Sequence, residues 1–217
     1  PARVIAEQFR LPEVPDLEQR FNIAPSQDVA VVRQPPNEPR QLAFCQWGLA
    51  PSWSKDAPGS RRPINARSET VASSPMFRAA LRRRRCLVPA DGFYEWKTIG
   101  GKKQPFYIQL ESGKPFAFAG LWESRGDDGE LQTCALLTTS VNDFMRTIHD
   151  RMPVIVRPAD YDAWLDNSIE DVSCLARLYE PDAAEPLAAY AVSTDVNKPT
   201  IDRAACIEPI EHQQELF

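Results

Sequence analysis

The sequence lacks most of the features that would assign a chemistry at once. No apolar run approaches the ~20 residues of a bilayer-spanning helix, so no membrane partner is expected. There is no Gly-rich phosphate loop and no His/Cys/carboxylate cluster at metal-ligand spacing, so neither a cofactor nor a metal is expected. Histidine is scarce, with only His149 and His212. The five cysteines (Cys45, Cys86, Cys134, Cys174, Cys206) are odd in number, widely spread and without a C-x-x-C pair. That argues against a disulfide framework and a zinc knuckle, and predicts small buried hydrophobes in a reducing, cytoplasmic setting. Neither a start methionine nor a basic-then-apolar leader precedes Pro1, which predicts no secretory signal.

What is present is ordinary globular material: 217 residues, 43% hydrophobic and 25% charged. That is enough for one substantial domain, expected over residues 1–217. The net charge of −5 speaks against nucleic acid when taken alone, but its distribution does not. Residues 1–110 carry 17 Lys+Arg against 10 Asp+Glu, whereas residues 111–217 carry 8 against 20. A basic half suits a polyanionic ligand, and the acidic half favours solubility.

Twenty prolines and few long helical periods predict many short strands joined by turns. Strands are expected at 29–32, 41–47, 86–88, 93–96, 105–110, 116–122, 132–138 and 154–156, with hairpin loops at 98–102 and 125–129. Helices are expected from a Ser73 or Ser74 cap with Pro75 to about Arg83, at 157–165, and from Ile169 to Leu178. The fold class is therefore α+β: a β-rich single domain with a twisted, barrel-like antiparallel sheet core and a few short helices.

Three polar clusters interrupt the apolar sequence: Asn65-Ala66-Arg67-Ser68-Glu69, Gly92-Phe93-Tyr94-Glu95-Trp96 and His149-Asp150-Arg151-Met152-Pro153. An amide, a guanidinium, a carboxylate and an imidazole are the parts of an acid–base site for an anionic substrate. Strand alternation puts Phe93 and Glu95 on one face and Tyr94 and Trp96 on the other. A carboxylate among aromatics is desolvated and its pKa rises; the alternative is an edge-strand glutamate paired with Lys97 or Arg67. His149 precedes a strand, a common place for a site loop. Arg67 offers a bidentate fork for phosphate, or else a salt bridge to Glu69. The run Arg82-Arg83-Arg84-Arg85, with Arg78, reads as a surface that tracks a nucleic-acid backbone or as a solvated helix end. Trp53 is placed either to stack on an unpaired base or in the core.

Asn22-Ile23-Ala24-Pro25, Trp47-Gly48-Leu49, the three clusters, Val192-Ser193-Thr194 and Ile207-Glu208-Pro209-Ile210 occur in one order along the chain. Together they resemble the SOS response-associated peptidase (SRAP) family, whose members shield abasic sites in DNA. The resemblance implies a basic channel for single-stranded DNA, and a DNA-damage function in a monomeric cytoplasmic protein. It also implies an N-terminal cysteine, exposed by loss of the initiator methionine or by self-cleavage. Its amine attacks the ring-opened abasic sugar, and its thiol closes a thiazolidine.

Carried over, Asn65 orients the amine, Glu95 relays protons and bears on propeptide removal, and His149 acts as acid toward the sugar oxygen. Arg67 holds the phosphate, Trp53 meets the bases and Asn22 falls in a motif lining the site; Arg78 and Arg85, from the arginine run rather than the resemblance, are the further expected DNA contacts. The family's Cys-Gly-Arg-Phe start is not in this sequence, so the chain as written is expected to fold and bind single strands without cross-linking. Two other readings compete: a non-catalytic single-strand binder, and a cysteine hydrolase using Cys86 or Cys134 with His149 as base.

Overall fold

A computed structural model describes residues 2–54, 62–126, 129–169, 171–181 and 185–210. The β-branched run Val29–Val32 forms β1 (Asp28–Arg33). It turns through a proline-rich loop, with Asn37 at φ 61°, into antiparallel β2 (Gln41–Trp47). Three further strands close these two into a ring: β4 (Arg85–Ala90), β7 (Phe116–Arg125) and β8 (Leu131–Ser140). The pairing runs β1–β4, β4–β7, β7–β8 and β8–β2, a closed five-stranded barrel. Closure removes the open edges that would otherwise invite pairing with another chain.

The expectation of an antiparallel barrel holds for every pair in the ring but one. β2 and β8 run parallel, as do β3 (Asn65–Arg67) and β8. A long crossover, not a hairpin, joins β2 to β8, and only such a connection permits parallel pairing. β9 (Arg151–Pro153) extends β8 at its C-terminal end, and β10 (Ile155–Val156) pairs with β7.

Alternation along these strands separates two cores. One face gives Val31, Cys45, Cys86, Val88, Phe118, Cys134 and Leu136. The opposite face of the same strands gives Val32, Leu87, Ala119, Leu121 and Leu137. That second face packs under α1 (Ala2–Phe9), α2 (Arg78–Arg83), α3 (Tyr161–Leu165) and the 3₁₀ segment Val172–Tyr179. Gly120 sits where the first face is tightest: a Cβ there would lie 2.7 Å from Cys86 Sγ.

The second sheet, ordered β11–β6–β5, holds β5 (Phe93–Ile99), β6 (Lys102–Leu110) and β11 (Leu187–Ala191). Gly100 and Gly101, at φ 56° and 77°, make the two-residue hairpin between β5 and β6. Phe106, Ile108 and Leu110 turn toward the barrel core. Tyr94, Trp96 and Tyr107 pack on the other side against Val192, Val196 and Cys206.

All eight expected strand regions form, and the helix expected at 157–165 forms as a 3₁₀ turn (Pro158–Asp160) running into α3, while the other two helices differ. α2 begins at Arg78, and residues 69–77 are turns, so neither Ser73 nor Ser74 caps it. The expected helix at Ile169–Leu178 is a 3₁₀ segment from Val172, its entry capped by the Asp171 carboxylate accepting from Ser173 N–H. Residues 127 and 128 of the expected 125–129 loop lie outside the described residues.

Candidate functional site

The C-terminal end of β8 brings the clusters together. Arg67 on β3 stands opposite Thr138, and Thr138 stands opposite Pro153 of β9. Within β3 the alternation is clean: Ala66 is buried in the core while Asn65 and Arg67 are exposed on the other face. Trp47 braces this strand from below, its indole N–H donating to the Ile64 carbonyl at 2.9 Å. Asn65 and Arg67 are thus fixed in the backbone and exposed at their ends, a suitable state for groups awaiting a ligand.

Glu95, on β5, faces His149 across the gap between the two sheets, with 3.8 Å between Oε2 and Nε2. Burial pushes the Glu95 carboxyl above the usual carboxylate range and Asp150 adds to this, while His149, the Trp96 N–H and Lys103 pull the other way. Nδ1 of His149 lies 3.1 Å from the Arg151 N–H, the Arg151 carbonyl and Asp150 Oδ1. The imidazole can accept through Nδ1 with its proton on Nε2, toward Glu95, or donate from Nδ1 with Nε2 bare. A ring that serves both tautomers beside a desolvated carboxyl can pass a proton in either direction.

Gly92 lets β5 begin where it does. A Cβ at this position would lie 2.3 Å from Tyr107 Cζ and 2.7 Å from the Ile108 carbonyl. Tyr94 then ties its far side down, its hydroxyl donating to the Phe21 carbonyl at 2.6 Å. The Gly-Phe-Tyr-Glu-Trp cluster is one device for holding Glu95 still.

The remaining expected residues divide. Trp53 is 64% exposed, in a turn fastened by Ala50 N–H donating to Thr133 Oγ1 at 3.0 Å. Thr133 lies three residues before Leu136, the partner of Asn65, or about 10 Å along β8. Arg78 is exposed at the start of α2.

Two residues expected at the DNA surface are not on it. Arg85 is fully buried, and its guanidinium donates to the carbonyls of Leu81, Arg82, Trp164 and Asp166. It is a bolt for four backbone acceptors, so it leaves the set of DNA contacts. Asn22 is 5% exposed, and its Nδ2 donates to the carbonyls of Val196, Lys198 and Ile201. It locks the C-terminal segment to the Asn22-Ile23-Ala24-Pro25 loop. The arginine run is therefore split: Arg82 and Arg83 are exposed, Arg84 pairs with Glu123 at 2.7 Å, and Arg85 is internal.

The cysteine-hydrolase reading fails on burial. Cys86 and Cys134 are both 0% exposed, and desolvation pushes both thiols well above their ordinary range. Neither can present a thiolate. Cys174 is the exception to the expected burial, being exposed.

Glu69 and Arg151 both lie in the motifs, yet their pairing was not expected. Arg151 donates to both Glu69 oxygens, at 2.6 and 3.0 Å, and to the Thr138 carbonyl at 2.8 Å. The sequence offers no signal for this, because 82 residues separate the partners. Among the described residues no group of three or more His, Cys, Asp or Glu side chains could hold a metal ion. No described helix is long and apolar enough to cross a membrane.

Comparison with known proteins bears on this arrangement. The family model described as SOS response associated peptidase (SRAP) matches residues 1–199. The abasic site processing protein YoqW of Bacillus subtilis is 40% identical over 210 residues, covering 94% of this chain and 93% of the relative. The abasic site processing protein YoaM of the same organism is 41% identical over 196 residues, covering 88% and 86%. A crystal structure of a protein from Bacteroides thetaiotaomicron superposes with a TM-score of 0.75 at 26% identity, covering 85% of this chain and 82% of that one.

Proposed function

The chain belongs to the SOS response associated peptidase (SRAP) family, and from that premise we propose that it recognises abasic sites in single-stranded DNA and captures them covalently. The observation that carries the reading is the Glu95–His149 pair, 3.8 Å apart, at the end of the strand that aligns the exposed Asn65 and Arg67.

In the proposed reaction His149 protonates the sugar ring oxygen as the abasic sugar opens to its aldehyde. The amine of an N-terminal cysteine, oriented by Asn65, attacks C1′. Water leaves, with Glu95 relaying the protons, and an imine remains. The cysteine sulfur then adds to the imine carbon and its proton passes to the nitrogen, which closes a thiazolidine with no oxidant or cofactor. A terminal 1,2-aminothiol is required because both groups must be free. The five cysteines in the sequence are internal, with their amines bound in peptide links. Glu95 also serves the peptidase step that frees such a terminus from preceding residues. Arg67 holds the phosphate beside the gap, Arg78 extends the contact, and Trp53 meets an unpaired base. The protein acts as a cytoplasmic monomer, and residues 1–217 work as one domain.

The test compares the chain beginning at Pro1 with a version extended to begin Met-Cys-Gly-Arg-Phe and processed by methionine aminopeptidase. Each is mixed with a single-stranded oligonucleotide carrying one abasic site and run on a denaturing gel. A heat-stable shifted band for the extended protein alone, weakened by Asn65→Ala and Glu95→Gln, is the expected result. A folded, DNA-binding extended protein that gives no shifted band would sink the covalent reading and leave a binding module.

A further inference from the structure

The end of the barrel remote from the polar cluster carries a second candidate site. Arg33, at the end of β1, lies over the Trp122 ring with its Cζ 4.6 Å from the centroid, and its Nη1 donates to Gln132 Oε1 at 2.9 Å. These residues border a cavity of about 370 Å³, rimmed on one side by Pro35 and Pro36 and on the other by Arg83 and Asn167. Gln132 lies six residues before Thr138, so about 20 Å of β8 separates this cavity from Arg67. A second hollow of about 340 Å³ continues from it, sharing Arg33 and Gln132.

Four observations bear on what the first cavity would hold. Among the described residues, its charged lining is two arginines, Arg33 and Arg83, which suits an anion. Arg33 is already pinned by Trp122 and Gln132, so its charge is held at the mouth with little further ordering needed. An indole and two prolines supply apolar walls for a flat ring. Asn167 donates through Nδ2 to the Gln34 carbonyl at 3.2 Å, while its Oδ1 is buried and accepts from no described residue. A buried acceptor left open is costly unless a donor arrives. The mouth of a β-barrel is a common place for such a site, and the volume falls in the range of small-ligand cavities.

We propose that this barrel mouth binds a nucleotide unit, with Arg33 and Arg83 on the phosphate, Trp122 and the prolines against the base, and Asn167 Oδ1 accepting from a base N–H. The unit is either a free mononucleotide or one residue of a strand extending past the polar cluster. The site stands independently of the abasic-site reading, since it shares no residue with it.

The test is isothermal titration of the full chain with dAMP, deoxyadenosine and inorganic phosphate. Saturable dAMP binding about tenfold or more tighter than either fragment is expected, because ring and phosphate contribute separately. Arg83→Ala and Asn167→Ala should each weaken dAMP by roughly five- to tenfold, the thermal midpoint staying unchanged in the first and falling only slightly in the second, which also loses its bond to the Gln34 carbonyl. In the extended protein, covalent capture of a short abasic oligonucleotide should be unaffected by either. Binding of dAMP no tighter than that of phosphate, or unchanged in both variants, would overturn the proposal even if capture succeeds. Displacement of dAMP by an undamaged oligonucleotide supports the site and names the strand as the source, while simultaneous binding supports it and names the free nucleotide.

Discussion

Arg151 grips both carboxylate oxygens of Glu69 while its own backbone N–H donates to His149 Nδ1. One residue thereby connects the segment after β3, which presents Asn65 and Arg67, to the loop that presents His149. Its third partner, the Thr138 carbonyl, belongs to the strand between them. The two halves of the proposed site are held in register by this link.

Removal of that link should cost stability and activity together. Arg151→Ala is expected to destabilise by about 2 kcal/mol, because the Thr138 carbonyl and Glu69 lose their donor. Glu69→Gln should cost less than about 1 kcal/mol, since the pair is partly exposed. The Arg151 hydrogen bond holds the Glu69 carboxyl below the ordinary range. A depressed acid stabilises the fold above its unfolded pKa, and the gain is lost as pH falls through the folded one. Urea denaturation should therefore show wild type ahead of Glu69→Gln near neutrality and level with it in acid.

Glu95 should behave in the opposite sense. Burial raises its pKa, so its contribution to stability is fullest below the ordinary glutamate range and is lost as pH rises through the folded value. Glu95→Gln is expected to match or exceed wild-type stability at neutral pH. In the extended protein it should slow covalent capture by about 10²-fold. A stable variant with an undiminished rate would remove Glu95 from the proton relay.

Asn65→Ala and Arg67→Ala should leave the fold intact, because both side chains are exposed. They are expected to separate in effect. Arg67→Ala should weaken single-strand affinity and lower the slope of log affinity against log salt by about 0.7, the value of one phosphate contact on a single strand. Asn65→Ala should leave that slope unchanged and slow only the covalent step.

Arg85→Ala tests whether the arginine run acts as a surface. Four carbonyls would lose their donor, so a destabilisation of about 3 kcal/mol or more is expected by thermal or chemical denaturation. Arg82→Ala, on the exposed face of the same run, should stay within about 0.5 kcal/mol. Equal stability of the two variants would contradict the burial of Arg85.

Much of the site was legible because its groups sit in short local motifs. Alternation alone assigns Glu95 to the face shared with Phe93 and predicts a desolvated carboxyl, and the strand bears this out. The β-branched and aromatic runs likewise mark the strands, since a half-buried strand writes its period into the sequence. Helix starts were less legible: Ser74-Pro75 is a good cap pattern, but the turns after β3 occupy that stretch and delay α2 to Arg78.

Local pattern alone therefore yields most of the strands, the faces they show and the chemical groups available, but not β3, β9 or β11. Which arginines meet solvent, which thiols are sealed away and which distant residues become partners follows from packing in three dimensions. Arg83 and Arg85 are two positions apart in one run of like residues, yet one borders a cavity and the other is wholly internal. Arg151 finds Glu69 across 82 residues for the same reason. Burial and pairing depend on how closed sheets and crossovers stack in space, and no local period in the chain records that geometry.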